Sequence, residues 1–275
     1  MKLKGKVALV TGAGRNIGKA TALELASLGA DVAVNARVNK QELEDTAKEC
    51  RTKGVRTVAV LADMAKMSDV ERMVRQVTKE LGGVDILVNM VGIRPPTPFL
   101  QISEAEWDLV MSVNLGSCFR TCKHVLPGMV EKRWGRVINI SGRDAYYGKT
   151  NRAHCVATKA GITGFTRALA SEFSPHGITV NCVVPGPFNT TRAVMWHEGF
   201  RNTDAAAGAK SHDVYATAGE RGGRVAGSPV QTGTPVGRPG EPWELAKLVA
   251  FLASDDSAYI TGQSIQINGG AYYSV

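Results

Sequence analysis

Residues 6–37 read K-V-A-L-V-T-G-A-G-R-N-I-G-K-A-T-A-L-E-L-A-S-L-G-A-D-V-A-V-N-A-R, and this stretch leaves the chain few ways to fold. The opening run, Val7 to Val10, is apolar and short, which suits a strand buried on both faces. A turn containing Gly12, Gly14 and Gly18 follows. Ile17, Ala20, Leu23, Leu25, Ala26 and Leu28 then recur at helical spacing until Gly29 stops the helix. A second apolar run, Val32 to Val34, ends in Asn35, Ala36 and Arg37. Strand, glycine turn, helix and strand make a βαβ unit. In such a unit the glycine turn lets backbone N–H groups approach a pyrophosphate at the positive end of the helix. With the strand before it and the amphipathic helix after it, the turn predicts a dinucleotide site rather than a plain tight turn.

No Pro/Ser-rich linker or charge run divides the 275 residues, so one domain spanning 1–275 is expected. Hydrophobic residues make up 44%, ample for a core. The net charge of +8 is scattered, with no run of five basic residues. That pattern argues against a nucleic-acid partner and reads as a solvated basic surface mildly favouring anionic ligands. Met1 to Gly5 leads straight into the first strand, and no apolar run reaches membrane-spanning length. The expectation is a cytoplasmic protein with no membrane partner. Cys50, Cys118, Cys122, Cys155 and Cys182 show no zinc spacing and read as reduced thiols without a metal. Cys118 and Cys122, four apart on a predicted helix, read as core packing.

The turn T-G-A-G-R-N-I-G resembles the T-G-x-x-x-G-x-G fingerprint of the short-chain dehydrogenase/reductase family. It departs at Asn16, which stands where the family's middle glycine belongs. Asn tolerates left-handed backbone, so the turn is expected to survive with a less close phosphate approach. The resemblance covers nearly the whole chain outside 192–235 and extends to the family's 3-oxoacyl-carrier-protein reductase-like members. It implies a single doubly wound Rossmann-type α/β domain. The parallel sheet would have about seven strands with helices on both faces, and 187–236 would be an inserted substrate lid. It also implies a nicotinamide cofactor held by Gly12, Gly14, Arg15, Asn16, Ile17 and Gly18. Asp63 would meet the adenine, beside Met64. The stretch N-M-V-G, where the family shows N-N-A-G, would contribute Asn89 and Gly92 beside a floor made bulkier by Met90 and Val91. P-G-P-F-N-T-T resembles P-G-x-x-x-T, which assigns Pro185, Gly186 and Thr190 to the nicotinamide side. The last helix and strand, within Gly237 to Gly270, commonly pack such subunits into tetramers, so a homo-oligomer, tetramer or dimer, is expected.

Arg37 follows the second strand, where an acidic residue would accept hydrogen bonds from a ribose. A guanidinium there suits a 2′-phosphate instead, and Arg15 can assist. NADP(H) is therefore preferred and NAD(H) remains possible, as does Arg37 being only a solvated surface residue. Helices are expected over Lys40 to Lys53, from Ser68 as cap to Leu81, and from Ser103 through Asn114. Further strands are expected over Val55–Leu61, Val84–Asn89, Arg136–Ile140 and Ile178–Val184, with a proline-rich loop from Arg94 to Phe99.

The reactive segment, S-G-R-D-A-Y-Y-G-K-T-N-R-A-H-C-V-A-T-K-A-G, departs from the resemblance. In the family a serine after the fifth strand orients the substrate oxygen and a Tyr-x-x-x-Lys pair works on one helix face. The lysine holds the nicotinamide ribose and lowers the tyrosine pKa, and the tyrosine moves a proton at that oxygen. Lys159 is in place, as is Asn114, the helix asparagine implied to make a water-linked contact to the lysine. Cys155 stands at the tyrosine position and Gly142 at the serine position. Ser141 is adjacent but would point elsewhere. Cys155 reads either as a small buried residue or as a thiolate favoured by Lys159. Tyr146 or Tyr147, on the loop above the site, is the candidate replacement acid. Arg143, Asp144 and His154 are nearby polar groups, His154 facing away on the helix. Trp196, His197, His212 and Tyr215 in the lid are candidate substrate contacts. The expected activity is NADP(H)-dependent oxidation or reduction of a small-molecule carbonyl/alcohol pair through a non-standard proton relay. The alternatives are a non-redox reaction (C–C cleavage, elimination or isomerisation) and cofactor binding without turnover.

Overall fold

A computed structural model describes residues 1–190 and 234–273 of the chain. Seven parallel strands form one sheet in the order β3-β2-β1-β4-β5-β6-β7. They are β1 (Val7–Val10), β2 (Asp31–Ala36), β3 (Thr57–Leu61), β4 (Ile86–Asn89), β5 (Gly135–Ile140), β6 (Ile178–Pro185) and β7 (Ser264–Ile267). The helices are α1 (Asn16–Ser27), α2 (Lys40–Arg51), α3 (Met67–Leu81), α4 (Glu104–Lys132), the single turn α5 (Asp144–Tyr147), α6 (Ala153–Phe173) and α7 (Pro242–Leu252).

The strands are short, apolar runs because both sheet faces are covered. Successive side chains alternate between two layers. Val10 and Val34 join Leu25 of α1, Leu43 of α2 and Leu245 of α7 in one layer. Leu9, Leu87 and Val137 join Met73 and Val77 of α3 and Met129 of α4 in the other. Each aliphatic side chain so enclosed contributes about 1.5–3 kcal/mol. This is a doubly wound Rossmann-type α/β sheet.

Two local expectations shift. Ser68 does not cap α3: that helix starts at Met67, with Lys66 at the cap position and no side-chain cap bond. Its first-turn Asp69 instead accepts from the Asp63 N–H at 2.8 Å, tying the helix start to the end of β3. The fourth strand begins at Ile86, not Val84, because Asp85 turns its carboxylate to the Val7 N–H at 2.9 Å and to Lys132 Nζ at 2.8 Å. Ser103 does cap α4, accepting from the Glu106 N–H.

Strand order reverses between β1 and β4, so a crevice opens at their carboxyl ends. Thr11 closes its floor: its hydroxyl accepts from the Met90 N–H at 2.9 Å and donates to Val88 O at 3.3 Å. The described residues on either side of the candidate lid meet beyond β6. Asn189 N–H donates to Gly240 O at 2.8 Å, and Gly240 N–H to Pro187 O at 3.0 Å. Trp196, His197, His212 and Tyr215 lie outside the described residues. Among the described residues no helix is long and apolar enough to cross a membrane.

Candidate active site

The glycine turn sits at the reversal point. Gly12 adopts φ +66°, a left-handed value, and a Cβ there would already touch Val91 Cγ2 at 3.4 Å. A Cβ on Gly18 would lie 2.1 Å from Gly12 O, so only glycine lets α1 close onto the turn. Asn16 has φ +50°, the left-handed conformation that Asn tolerates. No side chain caps α1, and its first turn holds no acidic residue. By contrast, Asn39 caps α2 and Ser103 caps α4. A helix start left without a capping side chain, behind a turn that packs backbone on backbone, fits a pyrophosphate.

Arg15 is half-buried at the cap position of α1 and Arg37 is exposed beyond β2. Glu42 of α2 borders the same turn: a Cβ on Gly14 would be 3.8 Å from its Oε2. Ile17 is half-buried and packs into the α1 layer. Met64 is buried among the α3-side core residues. Asn89 is likewise committed to the core. Its amide donates to Asn139 Oδ1 at 2.8 Å and accepts from Thr121 Oγ1 at 2.7 Å. Pro185 ends β6 and Gly186 follows it, where a Cβ on Gly186 would meet Asn268 Cα at 2.6 Å. Thr190 is exposed.

Around Lys159 the geometry is tight. Its Nζ donates to Ile140 O at 2.8 Å, and burial pushes its pKa below the ordinary lysine value. Gly92 adjoins both that Nζ and Asn114: a Cβ there would lie 3.4 Å from the Nζ and 3.5 Å from Asn114 Oδ1, ordinary contact distances. Asn114 is fully buried. Its Oδ1 accepts from the Ile93 N–H at 2.7 Å, and its Nδ2 donates to Ile93 O and to Thr158 Oγ1, both at 3.0 Å. Ser141 turns inward and donates to Lys159 O at 2.7 Å, fixing α6 to the end of β5. At Gly142 a Cβ would meet only Lys159 Cγ, at 4.0 Å.

Cys155 faces away from thiolate chemistry. It packs with Ile93 and Val110, and its Sγ lies 3.8 Å from both Ile93 O and Pro95 O. Burial pushes the thiol up to about 11, outweighing the lowering effect of Arg152, Arg94 and Lys159. Of the two readings of Cys155, the small buried residue fits this environment, because desolvation outweighs the pull of the nearby lysine. Cys50 and Cys118 are pushed up to about 11 and Cys182 to about 12 by the same cause, and Cys122 is raised as well. A thiol whose folded pKa exceeds its unfolded value near 9.0 adds stability below pH 9 and loses it as pH rises through the folded value. Lys159, with its pKa lowered, acts in the opposite sense, but it is one group against five. Tm is therefore expected to fall as pH rises from 8.5 to 11, and a calorimetric pH series with Cys155→Ala should show a shallower fall.

Sequence reasoning missed the network behind Cys155. His154 does turn away from the crevice, but into a buried triad rather than to the surface. Its Nε2 meets Glu106 Oε1 at 3.0 Å, and Thr97 Oγ1 donates to that oxygen at 2.6 Å. Glu106 reads from sequence as a first-turn acid of α4; only its three-residue offset from Ser103 hinted at a fixed orientation. The triad clamps the proline-rich loop onto α4 and α6, assisted by Thr97 N–H to Asn151 O at 2.9 Å. Glu106→Ala strands a buried imidazole and a hydroxyl, and is expected to cost about 3 kcal/mol in urea unfolding. Pairing it with His154→Leu should recover part of that loss.

The two tyrosines differ. Tyr147 is 48% exposed, while Tyr146 packs against the cluster containing Cys118 and Cys182 and buries its hydroxyl without a hydrogen-bond partner among the described residues. Both rings lean on Tyr272, at centroid distances of 5.7 Å for Tyr146 and 5.3 Å for Tyr147. Arg143 lies over the Tyr147 ring and 3.8 Å from Asp144.

Residues 6–199 match the family described as short chain dehydrogenase, and residues 213–272 match that described as Enoyl-(Acyl carrier protein) reductase. The chain is 39% identical to the 3-oxoacyl-[acyl-carrier-protein] reductase FabG of Staphylococcus epidermidis, over 97% of this chain and 99% of the relative. It is 37% identical to FabG of Pseudomonas aeruginosa over the full length of both. A crystal structure from Sinorhizobium meliloti 1021, assigned to the short-chain alcohol dehydrogenases, superposes with TM-score 0.82 and 32% identity over 98% of this chain and 97% of that one. The crevice, the glycine turn and these matches over both halves lead to one conclusion: the chain belongs to the short-chain dehydrogenase/reductase family of oxidoreductases.

Proposed function

We propose that this protein is an NADP(H)-dependent oxidoreductase acting on a carbonyl/alcohol pair, with a proton relay other than the usual serine and tyrosine. The observation that carries the reading is the buried Lys159, whose Nζ is held on Ile140 O at the carboxyl end of β5, beside Gly92 and at the same end of the sheet as the glycine turn. Gly12, Asn16, Gly18 and the start of α1 would hold the pyrophosphate, and Lys159 the nicotinamide ribose. Arg15 and Arg37 would contact the 2′-phosphate, against which Glu42 works by repulsion. Bound there, the reduced cofactor supplies a hydride to the carbonyl carbon. The chain must then deliver a proton to the carbonyl oxygen. Cys155, held neutral and packed under the 93–95 loop, is badly placed for this. Tyr146, whose buried hydroxyl lacks a partner among the described residues, is the better donor.

The relatives' name, 3-oxoacyl-[acyl-carrier-protein] reductase, is consistent with this reading. The apolar face of α4 and α6, with exposed Phe119 beside Met111, Leu115 and Phe165, supports pairing into a homo-oligomer. Five buried free thiols suit a reducing, cytoplasmic setting.

Titration with both cofactors is the test. NADPH is expected to bind about tenfold tighter than NADH. Tighter NADH binding would show that Glu42, not Arg37, reads the ribose. With a carbonyl substrate in hand, Tyr146→Phe should lower kcat about 100-fold and Tyr147→Phe by less than about threefold. Absence of binding by either cofactor would overturn the oxidoreductase reading.

A further inference from the structure

We propose that residues 93–97 are a strap, latched over position 155 by the Thr97–Glu106–His154 triad, whose release opens the substrate side of the site while the rest of the fold stays intact. The inference rests on the oxidoreductase reading only for what the opening admits. The strap runs Ile93, Arg94, Pro95, Pro96, Thr97. Its inner end is pinned: the Asn114 amide accepts from the Ile93 N–H at 2.7 Å and donates to Ile93 O at 3.0 Å. Pro95 and Pro96 have no N–H to offer, and their fixed φ stiffens the middle. There Arg152 Nη1 donates to Arg94 O at 3.2 Å. The outer end hangs on Thr97, whose N–H donates to Asn151 O at 2.9 Å and whose hydroxyl donates to Glu106 Oε1 at 2.6 Å. Beyond it the chain gains little from burial, since Phe99 and Leu100 are 68% and 95% exposed.

The triad is built to release as a unit. Glu106 Oε1 takes the Thr97 hydroxyl and also meets His154 Nε2 at 3.0 Å, so one displaced carboxylate frees both partners. His154 Nδ1 is buried without a partner among the described residues, which leaves Glu106 to fix the imidazole. Under the strap lies only a small thiol. Cys155 Sγ is 3.8 Å from Ile93 O and Pro95 O, and a thiol is a weak donor. Lys159 stands one turn further along α6, and a Cβ on Gly142 would meet only its Cγ, at 4.0 Å. An outward strap therefore frees positions 142 and 155 together, beside Lys159. A segment held by a few polar contacts and little apolar burial opens at lower cost than the whole fold.

Cys155 reports the motion, and the other four thiols are its controls. Cys155 packs with Ile93 and Val110, whereas Cys50, Cys118, Cys122 and Cys182 are equally buried in other clusters. The full chain is treated at about pH 8 with iodoacetamide, which alkylates a thiol with loss of iodide. Each site is followed by mass spectrometry and scaled to its rate in the urea-unfolded chain. Cys155 is expected to react at least about tenfold faster than the other four. Thr97→Val and Glu106→Gln should each speed Cys155 about tenfold, and Thr97→Ser, which keeps the hydroxyl, should stay within about twofold of the parent. Val77→Ala, in the buried face of α3, should speed the other four about tenfold and leave Cys155 unchanged. Reaction of all five thiols at one rate would overturn the proposal, because position 155 would then be reached only by global unfolding. So would a Cys155 rate that ignores Thr97→Val and Glu106→Gln, or one that follows Val77→Ala. Latch-dependent reaction of Cys155 in a chain that binds neither NADPH nor NADH would leave the strap standing and remove the oxidoreductase reading. Tight NADPH binding with uniform thiol reaction would do the reverse.

Discussion

Gly18→Ala is expected to weaken NADPH binding by about 100-fold and to destabilise the fold by about 3 kcal/mol. The new methyl would lie 2.1 Å from Gly12 O, 2.8 Å from Gly12 C and 2.9 Å from Ala13 Cα. All three are backbone atoms, so no side chain can swing aside. Either α1 withdraws from the turn or the turn opens, and both move the helix start that would face the pyrophosphate. Gly14→Ala provides the control within the same motif. Its methyl would make ordinary contacts of 3.7–3.8 Å with Glu42 and Ala36. It should leave Tm within about 2 °C and NADPH affinity within about threefold. Calorimetric titration and thermal unfolding of the two variants side by side check the pair. If Gly14→Ala is as harmful as Gly18→Ala, close packing is not what the third glycine supplies.

The contrast between those two glycines shows what can be read from a sequence. Turn chemistry and periodicity are local. The βαβ unit, its boundaries at Val7 and Ala36, and the left-handed Asn16 follow from a few neighbouring residues. The vacated positions at Gly142 and Cys155 were visible for the same reason, since they are offsets counted from Lys159. What could not be read are pairings between distant segments. Glu106 carries the pattern of a helix-start acid, yet it holds Thr97 and His154 because the 93–97 loop folds back across α4 and α6. Asn89 carries the pattern of a residue at the mouth of the site, yet register places it opposite Asn139. Its amide then joins a buried chain running from Thr121 to Thr166. The bond from Arg152 to the Arg94 carbonyl belongs to this class too, since the two residues meet only through the tertiary fold.

Gly142→Ser with Cys155→Tyr is expected to raise ketone reduction by about 10² to 10⁴ over the parent. The two halves of the change face different obstacles. A serine at 142 enters open space, with Lys159 Cγ no nearer than 4.0 Å to its Cβ, and should fold like the parent. A tyrosine at 155 must displace a packed loop, because the thiol is 2% exposed and already lies 3.8 Å from two loop carbonyls. Overpacking of that kind costs about 1–3 kcal/mol. The single Cys155→Tyr variant should accordingly unfold at a lower temperature than Gly142→Ser. Its phenol reaches the crevice only if residues 93–97 move outward. The double variant should thus gain ketone reduction and lose thermal stability in the same step. Rates of ketone reduction and thermal unfolding of the double variant beside the parent would show both changes at once. A gain in rate with an unchanged Tm would mean that the loop stays in place and that the phenol fits without displacing it. No gain at all, with NADPH still bound, would mean that proton delivery is not what limits the parent enzyme.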